Sequence, residues 1–144
     1  MKGLWLFQLF LVLLLILTIG CAKVLNKEDI KSIELSSISR DSDVNVKIFN
    51  DRSYVYEIKV NYPANLIVSK NKNMSDSEFA ALTELIDKSN FFNLRDEYKS
   101  GESEAYTLLI KTDKYSKSIK FYKNSNAPKE LLNIAGFIHA LVKS

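Results

Sequence analysis

One cysteine, one histidine and a short run of carboxylates are the side chains with reactive chemistry to offer in this 144-residue sequence. Cys21 follows a long apolar run and closes the tetrapeptide Thr18-Ile19-Gly20-Cys21. A thiol there, after a small residue, is suited to acylation followed by cleavage between Gly20 and Cys21, which makes the cysteine a new, lipid-bearing N-terminus. His139 has no Cys or carboxylate at ligand spacing, so a zinc site or a nucleophile and base pair finds no local partners. Asp96, Glu97, Glu102 and Glu104 crowd one polar segment. Clustered carboxylates suit Ca²⁺, which takes six to eight oxygen ligands, but the spacing of an EF-hand loop is absent and the segment reads as a solvated loop. Neighbouring carboxylates in such a loop are poorly organised for acid and base work. No serine lies in a nucleophile elbow, and the four glycines form no phosphate-cradling loop. The expectation is a protein that is not an enzyme, with no metal and no cofactor.

What precedes Cys21 decides how its thiol is read. Met1 and Lys2 give a positive end, Leu4 to Ile19 is almost wholly apolar, and Gly20, Cys21 and Ala22 are small. Charged, apolar and small-residue regions in that order make a secretory signal. Its end resembles a bacterial-type lipobox, with Thr18 where leucine is usual. Residues 1–20 are expected to be a lipoprotein signal peptide, and residues 21–29 a short tether lipidated at Cys21 by acyl chains such as palmitate. The competing reading is a retained anchor. A spanning helix needs about 20 apolar residues, and Leu4 to Ala22 falls just short. A buried core helix fits poorly, because the run is apolar on every face. Lipidated or retained, the segment puts the rest of the chain at a cell membrane, and the favoured readings put it outside the cytoplasm.

Composition agrees with that address. A single cysteine excludes a disulfide framework within the chain, so packing alone must hold the fold. Residues 1–20 contain one Lys and no acid, which leaves 19 basic against 17 acidic side chains, a net of +2. So small a surplus gives no reason to expect a nucleic-acid partner. The expected partners are membrane lipid through Cys21 and an extracytoplasmic protein or peptidase.

Residues 30–144 are expected to form one α+β domain, and about 115 residues suffice for a single core. Alternation of branched and aromatic residues marks strands: Ile33 and Leu35; Val44, Val46 and Ile48; Tyr54, Tyr56, Ile58, Val60 and Tyr62. Asn50-Asp51-Arg52 reads as a hairpin turn, and Leu66 to Val68 as a short extended segment after Pro63. Ser75-Asp76-Ser77-Glu78 is a capping box, with Met74 and Phe79 placed as a hydrophobic staple. It opens a helix from Asp76 to about Lys88, with Phe79, Leu82, Leu85 and Ile86 on one face. Phe91, Phe92 and Leu94 then fold under the domain. Arg95 to Glu104 is the charged loop. Tyr106, Leu108 and Ile110, then Ile119 and Phe121, mark two more strands. After Asn126, a candidate cap, and Pro128, suited to a first turn, a helix carries Leu131, Ile134, Ala135, Ile138, Leu141 and Val142 on one stripe. The sum is an antiparallel sheet of about five to six strands, with two helices on one face, in the order strands, helix, two strands, helix. Val55, Glu57, Lys59 and Asn61 oppose the tyrosine stripe and leave the second face partly open. The tyrosines themselves read as core lining, or as a partner surface, since Tyr is enriched at interfaces.

The stretch from Ser75 to Val142 resembles two related groups. It carries a capped helix running into Phe91-Phe92-Asn93-Leu94-Arg95-Asp96-Glu97-Tyr98, then Glu104-Ala105-Tyr106-Thr107-Leu108-Leu109-Ile110, then Ala127-Pro128-Lys129-Glu130-Leu131. One group is a set of uncharacterised secreted or lipoprotein α+β domains. The other is the emfourin family, small proteins associated with thermolysin-type metallopeptidases and described as their inhibitors. The likeness covers the C-terminal half. Ser36 to Val44 stands where many members carry a Gly-rich or Cys-Pro-containing first strand, so no functional residue carries over. The resemblance implies a surface-anchored inhibitor of a metallopeptidase as the alternative function.

Overall fold

A computed structural model describes residues 29–61, 66–100 and 104–143. Gly20, Cys21, Tyr62, Pro63 and Glu102 lie outside the described residues. Seven strands form one sheet: β1 (Ile30–Ile38), β2 (Ser42–Phe49), β3 (Ser53–Val60), β4 (Ile67–Asn73), β5 (Glu97–Tyr98), β6 (Ala105–Thr112) and β7 (Ser116–Tyr122). Among the described residues there are also two helices, α1 (Asp76–Lys88) and α2 (Lys129–Lys143), and a 3-10 turn at Phe91–Asn93. The strand order is β4-β3-β2-β1-β6-β7-β5. All pairs are antiparallel except β5 with β7, which is parallel.

The α+β class stands, but the expected antiparallel sheet of five to six strands is corrected to a mixed sheet of seven. The additional strand is β5, inside the segment read as a solvated charged loop. Two residues carry no alternation, so nothing in their pattern marks a strand. They are held by tertiary contacts: Lys120 N–H donates to the Asp96 carbonyl at 2.8 Å, and Tyr98 buries its ring at the sheet margin. β4 also runs beyond the expected Leu66–Val68 through the polar Ser69 to Asn73, because pairing with β3 needs only backbone groups.

Register follows the side-chain period of two. Ile33, Ile48, Tyr54 and Ile110 meet in one row across four strands, and Leu35, Val46, Tyr56 and Leu108 in the next. These rows, with Leu82 and Ile86 of α1 and Leu131, Ile134 and Ile138 of α2, make one buried core. Tyr54 and Tyr56 are 3% and 4% exposed, so this part of the tyrosine stripe lines the core rather than a partner surface.

Local chemistry sets the element ends. Ser75 Oγ accepts from Glu78 N–H, and the Glu78 carboxylate accepts from Ser75 N–H at 2.8 Å, so the capping box closes. Arg52 takes a left-handed φ of 71° to finish the β2–β3 turn and pairs with Asp76 at the start of α1. Pro128 stands one place before α2 rather than inside its first turn, and its carbonyl accepts from Leu131 N–H. Asp29, assigned by sequence to the tether, is already stitched to the domain, since its carbonyl accepts from Asp113 N–H at 3.0 Å.

Candidate functional site

Both helices contribute to one core, and the sheet's second face carries the alternate residues. On β1 those are Ser32, Glu34 and Ser36; the pairing sets Lys47 and Leu109 directly beside Glu34, and Phe49 and Lys111 beside Ser32. This face holds a groove of about 560 Å³ with Phe49, Val55 and Leu109 among its apolar lining. Val55 is 38% exposed.

Glu34 organises the groove. Its Oε1 lies 3.0 Å from Lys47 Nζ and 3.2 Å from Lys111 Nζ, and accepts from Ser32 Oγ at 3.3 Å. Partial burial alone would raise the carboxyl's pKa. Hydrogen bonds from Lys47 and Lys111, with their charge, outweigh that and hold it below the usual carboxylate range. The Lys47 ammonium also stands 5.4 Å from the Phe49 ring centroid, within cation–π range. Glu57 lies two places beyond Val55 on β3, toward the opposite end of the groove. A surface like this can bind, with Glu34 paired to Lys47 and Lys111 beside the apolar side chains.

The residues singled out for chemistry form no single site: Glu104 and His139 both meet Tyr106, and Asp96 and Glu97 stand apart in separate ion pairs. Asp96 faces Lys117 at 3.3 Å and Glu97 faces Lys99 at 3.5 Å. Glu104 accepts from Ser37 Oγ at 3.2 Å. Among the described residues no group of three His, Cys, Asp or Glu converges to hold a metal ion. His139 packs its ring 5.8 Å from Tyr106, edge to face, and its Nε2 is buried without a hydrogen-bond partner among the described residues. Burial lowers its pKa, Glu104's charge opposing and Lys143's reinforcing that direction. Burial, then bonding to Glu104, pushes the Tyr106 hydroxyl up, so it stays protonated. No described helix is long and apolar enough to cross a membrane.

Sequence reasoning found part of the open face, through Val55 and Glu57, and missed its centre. Glu34, Lys47 and Lys111 are far apart in the chain and share no motif. The one available signal was Glu34 itself, a carboxylate between Ile33 and Leu35 in an alternating strand.

A family model for a domain of unknown function, DUF6438, matches residues 42–142. The chain belongs to DUF6438. The match runs from the first residue of β2 into the last turn of α2. It thus includes Lys47 of the groove, and Lys111 that reaches Glu34 from β6, but begins after β1, the strand that fills the middle of the sheet and supplies Glu34. No curated protein matches the chain.

Proposed function

We propose that this chain is a membrane-tethered extracytoplasmic lipoprotein whose DUF6438 domain is a non-catalytic, protein-binding module. The observation that carries the binding half is the second sheet face, with an apolar groove lined in part by Glu34 and Lys47, and Lys111 reaching Glu34 from β6. Protein-binding surfaces combine an apolar centre with a polar rim in this way. The tether half rests on the layout that ends in Gly20 and Cys21. Between Cys21 and Asp29 stand seven residues, which reach at most about 25 Å. A lipid on Cys21 therefore keeps the domain close to the bilayer, with the pole that carries Asp29 and the β6–β7 turn nearest the tether.

Mass spectrometry of the mature N-terminus tests the tether: the expected product begins at Cys21 and carries acyl chains, and Cys21→Ala abolishes both processing and detergent partitioning. An unprocessed, unacylated wild-type chain overturns it. For the binding half, a photo-crosslinker at Val55 or Leu109 in intact cells should give discrete protein adducts, and one at Glu130 on α2 should give none. Adducts equal at all three positions would remove the open face as the docking surface.

The emfourin likeness supports a second reading, inhibition of a thermolysin-type peptidase. Many of the residues that carry it, among them Phe91, Tyr106, Leu108, Ile110 and Leu131, are buried, so what it supports first is a shared scaffold. Peptidase activity unchanged by micromolar chain removes this reading.

A further inference from the structure

We propose that the groove recognises a carboxylate set between apolar side chains in a partner protein segment, with Lys47 and Lys111 as the carboxylate-binding pair. This rests on the open face being a docking surface and adds the chemistry of what docks there. Two ammonium groups converge on one oxygen of Glu34. One carboxylate neutralises one of them, so the trio keeps a net charge of +1. Each ammonium has three N–H donors and the bond to Glu34 uses one. Lys47 and Lys111 side chains are 45% and 44% exposed, so the remaining donors are open to a ligand.

The surroundings fix the rest of the ligand. Leu109 stands beside Glu34 on one side, and Val55 stands beside Lys47 on the other, in one row across the strands. Phe49 lines the groove and stands in one row across the strands with Ser32 and Lys111. A segment whose acidic side chain reaches the lysines therefore lays its neighbours on Phe49, Val55 and Leu109. Such apolar cover also removes water from around the ammonium groups and strengthens their attraction for the incoming charge. Glu57 opposes any acid placed at the far end of the groove, which selects one position for the carboxylate and disfavours a uniformly acidic segment.

The test uses the full lipidated chain in nanodiscs and calorimetric titration with capped peptides. One peptide has a single glutamate between leucine and valine pairs with serine ends; its twins carry glutamine or lysine in the glutamate's place. The glutamate peptide should bind about tenfold tighter than the glutamine twin at low salt, the lysine twin should bind weakest, and added salt should shrink the difference. Replacing both lysines, Lys47→Gln with Lys111→Gln, should erase the glutamate preference. Glu34→Gln should enlarge it, because it frees both ammonium groups for the ligand, an effect that loss of structure would not produce. Equal binding of the glutamate and glutamine peptides, a preference that survives the double replacement, or no binding of the glutamate peptide up to about 1 mM each overturns the proposal. The crosslinking result at Val55 and Leu109 is independent of all three, so loss of the carboxylate preference is distinguishable from loss of the docking surface.

Discussion

Tyr54 on β3 donates its hydroxyl to the main-chain carbonyl of Leu141 in the last turn of α2, at 3.1 Å. The bond joins residues 87 positions apart and fastens the C-terminal helix across the sheet. It also explains how a tyrosine only 3% exposed keeps a partner for its hydroxyl. Tyr54→Phe keeps the ring and removes the donor. A loss of about 1 kcal/mol is expected, read as a lower urea midpoint with an unchanged slope. An unchanged midpoint would mean that water replaces the hydroxyl without cost.

The capping box at Ser75 predicts a local effect. Ser75→Ala removes the acceptor for Glu78 N–H and should cost about 1 kcal/mol. Hydrogen exchange should quicken first in the opening turn of α1, from Asp76 to Phe79, while the β1 amides stay protected.

Lys117 has a structural task that its type does not advertise. On β7 it lies on the same side as Ile119 and Phe121, its side chain 18% exposed. Its ammonium donates to the carbonyls of Phe92 and Leu94 and faces Asp96. Lys117→Met keeps the stem and drops these donors, with an expected loss of about 2 kcal/mol. Amide exchange should rise across Phe91 to Tyr98, since that segment loses its clamp to β7. If exchange rises evenly over the whole sheet instead, the clamp is not local.

Acid should weaken the fold through His139 before it reaches the carboxylates. Burial lowers the folded pKa of His139 below its ordinary 6.5, so the folded state disfavours the proton that the unfolded chain accepts. Its stabilising contribution is fully present above about pH 6.5 and is lost as pH falls through the lowered value. Glu34, Asp51 and Glu78 have lowered pKa values as well, and their contributions are fully present above the ordinary carboxylate values and lost as pH falls from there through the lowered ones. Urea midpoints compared at about pH 7.5 and about pH 5 should therefore differ in the wild type and differ less in His139→Leu. Equal pH dependence in the two proteins would show that His139 is not the titrating group.

How much was legible in advance varies with the range of the interaction concerned. The β2–β3 turn at Asn50-Asp51-Arg52, the capped helix from Asp76 to Lys88 and the stripe on α2 were read correctly, because each is encoded within a few residues by turn chemistry, capping or periodicity. β5 was not, since a two-residue strand has no period and exists only because β7 lies beside it. The groove was half visible: alternation marked Val55 and Glu57 as outward-facing but said nothing about which strands would flank them.

By itself, then, the sequence determined the local order of strands and helices apart from β5, the position of the capping box and the chemical layout that ends at Cys21. Tertiary structure alone decided the strand order β4-β3-β2-β1-β6-β7-β5, and with it the meeting of Lys47 and Lys111 on Glu34. The physical reason is that period and capping act between near neighbours in the chain, whereas convergence of three charges from β2, β1 and β6 requires the register of two strand pairs to be set at once.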